Sequence, residues 1–308
     1  MGEHKKTIMK DFFPVFVMGS LFVLIYSLAL LATRPFEAAG VGVFENPSDP
    51  FNLVYFFATL LLFTVVILLI SKFWKKQLVR GLILFSTASM TFYVLYPLLA
   101  LVVPEALSAG FSLACAAILT AALVKYPEWY VIDICGIVVG SGATAMMGIS
   151  LSIFLVIVLL VGLAIYDAIS VYKTKHMIDL ADTVLDLKLP VLLVIPKLRE
   201  YSLIKEKKGL KEKLEGGEER DAFFMGLGDI IMPGILVVST FYNLTSNGFL
   251  VAISVILGTL FGFVILMTFV RKGKPQAGLP FLCSGALLGY FISSYLLFGE
   301  LAGLAFPI

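Results

Sequence analysis

Residues 150–172 read SLSIFLVIVLLVGLAIYDAISVY, an apolar run whose single charge is Asp167. About 20 consecutive apolar residues suffice to cross the hydrocarbon core of a bilayer as an α-helix. Lipid offers no hydrogen-bond partner, so such a run must close its own backbone bonds, which a helix does. On either side of it, apolar runs recur at 12–33, 51–71, 81–103, 106–124, 130–148, 221–241, 248–270 and 279–298. With 150–172 they predict nine transmembrane helices. Of the 308 residues, 60% are hydrophobic and 14% charged, against about 45–50% and about 25% in a soluble domain. The expected fold class is therefore all-α, a polytopic integral membrane protein.

A net charge of +2 is too small to suggest a nucleic-acid partner. The basic residues act instead as topology signals: 22 of the 23 Lys and Arg fall in the N-terminal segment and in alternate connections, leaving Arg34 alone on the other side. Basic residues concentrate in cytoplasmic loops, which puts the N-terminus in the cytoplasm and the C-terminus outside. The longest connection divides the chain into an N-terminal six-helix part at 1–172, a cytosolic loop at 173–220 and a C-terminal three-helix part at 221–308. Within the loop, Met177, Leu180, Ala181 and Val184 at helical spacing predict an amphipathic extension of the sixth helix. Val191-Leu192-Leu193-Val194-Ile195, between Pro190 and Pro196, is too short to span and rich in branched side chains, which points to a strand or buried loop. Residues 205–220 read as a charged, flexible linker. Gly136, Gly140 and Gly142 read as sites of close helix packing.

Cys115, Cys135 and Cys283 lie in apolar runs without metal-ligand spacing and read as small buried hydrophobes. The two histidines, His4 and His176, both fall outside the spans. Zinc hydrolysis through an HExxH motif and serine–histidine hydrolysis each need an imidazole at a buried reaction centre, so both are excluded within the membrane. No metal site and no cofactor is expected.

Three acidic residues do fall inside spans: Asp133, Asp167 and Asp229. Each carries a nominal cost of about 2.5–3.5 kcal/mol at a helix centre and so calls for a reason. Asp167 lies six residues before Lys173 and Asp229 nine after Arg220, which is about 9 Å and about 13 Å from the cytosolic ends of their helices. Both therefore reach a similar depth in the inner half of the bilayer, on helices adjacent in sequence. Asp133 reaches a comparable depth, so depth alone leaves three candidates; Trp129 and Tyr130 one turn earlier mark the interface, and Asp133 is expected to lean toward the headgroups. Around Asp229, Gly226-Leu227-Gly228 removes side chains just before the acid and permits close approach of another backbone. Two carboxyls sharing one proton can hydrolyse a peptide: the protonated one polarises the carbonyl and the ionised one activates water.

Tyr166-Asp167 in one span, Gly226-Leu227-Gly228-Asp229 in the next and Gln276-Ala277-Gly278-Leu279-Pro280 opening the last resemble the presenilin and signal peptide peptidase family of intramembrane aspartyl proteases. The resemblance covers most of the chain in order and spacing, and implies a presenilin-like fold of nine helices. The compact loop is similar to that of an archaeal presenilin homologue, which implies a cell-membrane location. By the resemblance, Asp167 and Asp229 are the catalytic pair. Tyr166, Gly226, Leu227, Gly228, Ala277, Gly278, Leu279 and Pro280 support the site or bind substrate, and Asp133 belongs to no family motif. The family's Pro-Ala-Leu element fits Ala277-Gly278-Leu279, with Ala277 in place of its leading proline and Gly278 in place of its alanine. Met232-Pro233-Gly234 resembles the signal peptide peptidase branch, whereas the charge distribution gives the presenilin-like orientation.

The expected substrate is a transmembrane peptide or single-span protein with an outside N-terminus, taken from the lipid bilayer; no auxiliary subunit is demanded and the oligomeric state is open. A substrate helix must unwind before water can attack its amides, and 191–195 or the backbone near Leu279 and Pro280 is expected to pair with the extended segment. The alternative function is a proton- or cation-coupled transporter or channel using the same membrane carboxylates.

Overall fold

The computed structural model describes residues 2–73, 76–171, 190–197, 201–203, 222–270 and 276–304. The amphipathic extension at 177–184 and the linker at 205–220 lie outside the described residues. Among those residues the chain forms α1 (Gly2–Ala38), α2 (Phe51–Phe73), α3 (Lys76–Ala100), α4 (Glu105–Lys125), α5 (Trp129–Ser150) and α6 (Ile153–Ile169). Strands β1 (Leu192–Pro196) and β2 (Ala222–Gly226) follow, then α7 (Leu227–Asn243), α8 (Gly248–Val270) and α9 (Gly278–Phe298). Six helices (α1, α3, α4, α5, α8 and α9) are long and apolar enough to cross a membrane, and α2, α6 and α7 carry shorter apolar stretches. Large apolar side chains such as Phe16, Leu31, Phe85 and Leu296 stand exposed on the outer faces. In water such a surface would be untenable; in lipid it is matched to its solvent. The chain is an integral multi-pass membrane protein.

The all-α expectation holds only in part. The run 221–241 is not helical throughout, because Ala222–Gly226 is a strand paired antiparallel with β1, in register Leu192↔Gly226 through Pro196↔Ala222. The fold is mostly helical, with a two-stranded sheet inserted between α6 and α7. The strand expected at 191–195 is present, one residue later, and its partner is the segment that looked like the start of a span. Gly226 and Gly228 weaken helix there, and Phe223 and Phe224 suit a pleated surface. Pairing with β1 then satisfies backbone groups that neither lipid nor core could serve.

Helix α5 runs through the centre, packed on α1, α3, α7 and β1, with one side-chain row after another buried. Its glycines explain the approach. A Cβ on Gly136 would stand 2.8 Å from Leu193 Cδ2, and one on Gly140 would stand 3.0 Å from Leu227 Cδ1. Gly142 meets Val94 of α3. Gly142 packs against a helix as expected, whereas Gly136 admits a strand. Helices α8 and α9 cross closely, where a Cβ on Gly258 would run into the backbone of Gly285 and Gly289. Of the cysteines, Cys135 and Cys283 are buried, but Cys115 lies exposed on α4, facing outward with the lipid-directed side chains.

Candidate active site

Asp167 sits in the last turn of α6, and Asp229 in the first turn of α7, two residues after the helix begins. The strand thus replaces most of the helix that was expected to precede Asp229. The first turn of a helix favours a negative group, because its free N–H groups carry a partial positive charge. A third element brings the two acids together. Helix α9 opens at Gly278, and the N–H of Leu279 donates to Asp167 Oδ2 at 3.1 Å. A Cβ built on Gly278 would stand 2.9 Å from Asp229 Oδ2. Both carboxylates therefore converge on one peptide unit, Gly278–Leu279, from opposite parts of the chain. The small central residue of the Ala277-Gly278-Leu279 element has a direct physical reason: any side chain there would displace Asp229.

The remaining predicted residues fall around this junction. Gly226 ends β2, and a Cβ there would stand 3.3 Å from Asp229 Oδ2. Gly228 is exposed, and a Cβ there would meet nothing within 4 Å, so it borders open space beside the acid. Leu227 is buried and fills the notch at Gly140 of α5, which anchors the turn carrying Asp229. Ala277 is buried, and Leu279 and Pro280 are half-buried at the start of α9. Tyr166 is the outlier: its side chain is 64% exposed and turned outward from the bundle.

The turn carrying Asp229 is shaped from behind. Pro233 lies four residues after Asp229 and has no N–H, so the Asp229 carbonyl lacks its helical donor. Tyr26 of α1, fully buried, donates its hydroxyl to the Ile230 carbonyl at 2.9 Å, and its ring fills the gap left by Gly234. No local pattern in the sequence could have revealed Tyr26, which acts across 204 positions.

Asp133 departs from its expectation. It does not lean toward the headgroups but is buried, accepting the Val194 N–H at 2.8 Å on Oδ1. Glu128, just before α5, accepts from Ser202 Oγ at 2.6 Å and from the Leu203 N–H at 3.1 Å. These two α5 carboxylates hold the chain in and beyond β1. Asp133 carried a signal in the sequence, an in-span charge; Glu128 carried none.

The Val194 bond also fixes which way the sheet's backbone points. Leu227 N–H donates to the Val191 carbonyl, and alternation along the strands turns Leu193 and Ile195 toward β2 and Val194 away from it. On β2 the outer edge therefore presents the N–H and C=O of Phe224, for which the described residues supply no backbone partner. This edge leads straight into Gly226-Leu227-Gly228-Asp229.

Two acids meeting at a helix end, inside a bundle of membrane-length helices and beside a strand edge for which the described residues supply no backbone partner, define a class of protein: a hydrolase of the aspartyl type working within the membrane. The family model described as "Signal-peptide peptidase, presenilin aspartyl protease" matches residues 19–299. The chain belongs to that family and is an intramembrane aspartyl protease. Two solved structures, both described as a presenilin family intramembrane aspartate protease, are similar to it. One, in space group C222, is 34% identical with a TM-score of 0.69, covering 92% of this chain and 99% of that one. The other, in space group P2, is 35% identical with a TM-score of 0.67, covering 92% of this chain and 98% of that one. None of the curated proteins matches.

Proposed function

We propose that Asp167 and Asp229 are the catalytic pair and hydrolyse peptide bonds of transmembrane substrates without a covalent intermediate. The observation that carries this reading is the convergence of both carboxylates on the Gly278–Leu279 peptide. One carboxyl, protonated, donates a hydrogen bond to the scissile carbonyl oxygen. The other, ionised, takes a proton from water as the water oxygen bonds to the carbonyl carbon. The tetrahedral adduct then collapses: a proton moves to the amide nitrogen, the C–N bond breaks, and an acid and an amine leave. The two groups titrate as a unit, so neither role belongs permanently to one residue.

Hydrolysis needs an extended substrate, and the outer edge of β2 is the element suited to pair with one. The sequence offered the backbone near Leu279 and Pro280, or β1, for this task. Its inner edge, however, pairs with β2 and its outer Val194 N–H is taken by Asp133. A strand laid along Phe224 and Gly226 would run on toward Asp229, with Gly228 leaving room for its backbone and Leu279 and Pro280 bounding the far side.

We read the chain as crossing the membrane nine times. Helices α6 and α7, of 17 residues each, span about 26 Å, just short of a hydrocarbon core of about 30 Å. Strand β2 supplies the missing length before α7, which accounts for a short helix at the point where the site needs an extended chain. The distribution of Lys and Arg supports a cytoplasmic N-terminus and an outside C-terminus, in the cell membrane of an archaeon, and single-span substrates with an outside N-terminus.

The decisive experiment is the purified chain beside Asp167→Ala and Asp229→Ala, each given a transmembrane peptide, with products identified by mass. Either substitution should abolish cleavage and leave a folded protein. Cleavage by a folded Asp167→Ala or Asp229→Ala variant would remove the dyad from the mechanism.

A further inference from the structure

We propose that Asp133 is a positioning residue for proteolysis: it pins β1 to α5 so that the neighbouring β2 edge is held in register with Asp229. The inference rests on the protease reading and extends it to a residue outside the dyad and outside the family's motifs.

Asp133 is an odd group for its place. Asp133 is 8% exposed on the most buried helix of the bundle, and among the described residues the ion pair found is Arg34 with Glu37, far from it. A carboxyl in such a place is costly, and an apolar side chain would pack against α5 at less expense. What an apolar side chain would not do is accept the Val194 N–H, which alternation turns away from β2 and into the protein. That amide would otherwise be a buried donor without an acceptor, the kind of group a strand inside a membrane protein cannot leave unmet.

The contact lies in the middle of a three-point attachment. Leu193 fits the notch at Gly136, Val194 bonds Asp133, and Ser202 and Leu203 bond Glu128, all along the first half of α5. The side chains of β2 pack into the bundle, Met225 and Phe223 on the main core and Phe224 on the α4–α5 cluster, but among the described residues its backbone is paired only along the edge facing β1. The register of the outer β2 backbone relative to Asp229 therefore follows β1, the strand that its backbone bonds. An edge ordered before binding spares the substrate the ordering cost and fixes which bond reaches the acids.

The test compares wild type, Asp133→Asn, Asp133→Leu and a control, Val255→Ala, which opens a cavity in buried α8 away from the sheet. Steady-state kinetics on a transmembrane peptide, product masses and thermal unfolding are measured for each. Asparagine keeps the acceptor oxygen, so Asp133→Asn should stay within about threefold of wild-type kcat/KM with the same products. Asp133→Leu should lose about tenfold or more in kcat/KM, with a raised KM and products spread over neighbouring bonds. Val255→Ala should unfold at lower temperature yet keep KM and products. If Asp133→Leu only loses stability as Val255→Ala does, or if Asp133→Asn fails as badly as Asp133→Leu, the proposal is overturned. Should Asp133→Leu not fold, Glu128→Ala decides: a raised KM or spread products supports the clamp, and wild-type values for both overturn it. Wild type that cleaves nothing would sink the protease reading itself, a separate result.

Discussion

A single methyl group distinguishes the roles of two glycines. On Gly278 it would crowd Asp229 Oδ2 at 2.9 Å, and on Gly228 it would meet nothing within 4 Å. Gly278→Ala should therefore lower kcat by about ten- to a hundredfold by displacing one acid, since misplacement of about 1 Å can cost that much. Gly228→Ala should fold as well as wild type or better, because alanine favours helix over glycine by about 1 kcal/mol. Any fall in its activity then reports the substrate backbone occupying that space; kinetics and thermal unfolding measured on both variants separate the effects. At this scale much could be read directly. Asp167 and Asp229 stood out as charges in apolar runs, and the glycines before Asp229 signalled close approach. Asp133 stood out equally, but its partner is 61 positions away, so its task could not be read from its neighbours.

Among the elements, β1 was legible and β2 was not. Two prolines bracket β1 and branched residues fill it, whereas Phe223-Phe224-Met225 runs without a break into the apolar pattern of α7. Only pairing with β1, a long-range contact, decides for strand over helix. The same pairing decides what a substitution in β1 would do. Leu193 is fully buried, faces Met225 in the ladder and fits against Gly136. Leu193→Pro removes a ladder donor and the packing together, so it should destabilise the protein by about 3 kcal/mol or more and not merely slow turnover. Thermal unfolding of the purified variant checks this; a wild-type midpoint would place β1 outside the folded core.

For the molecule as a whole, the nine helices among the described residues match the nine apolar runs, local sums that a sequence carries openly. How the helices meet is not local. Tyr26 reaches Ile230 from the first helix, and α9 delivers the peptide on which both acids converge. Orientation is open to direct measurement in membrane vesicles of known sidedness. Single cysteines introduced at Ser48 and at Lys197, in a chain with its native cysteines replaced, should label from opposite faces with an impermeant thiol reagent, Lys197 from the cytoplasmic one. Labelling of both from the same face would overturn the nine-crossing topology. The outer edge of β2, unpaired among the described residues, carries a pharmacological consequence as well. A ligand that borrows this edge must present an extended backbone from the outset, so a macrocyclic peptidomimetic locked in that shape should outbind its linear parent. A hydrocarbon-stapled helix of the same side chains, its amides already spoken for, would have nothing to offer the strand.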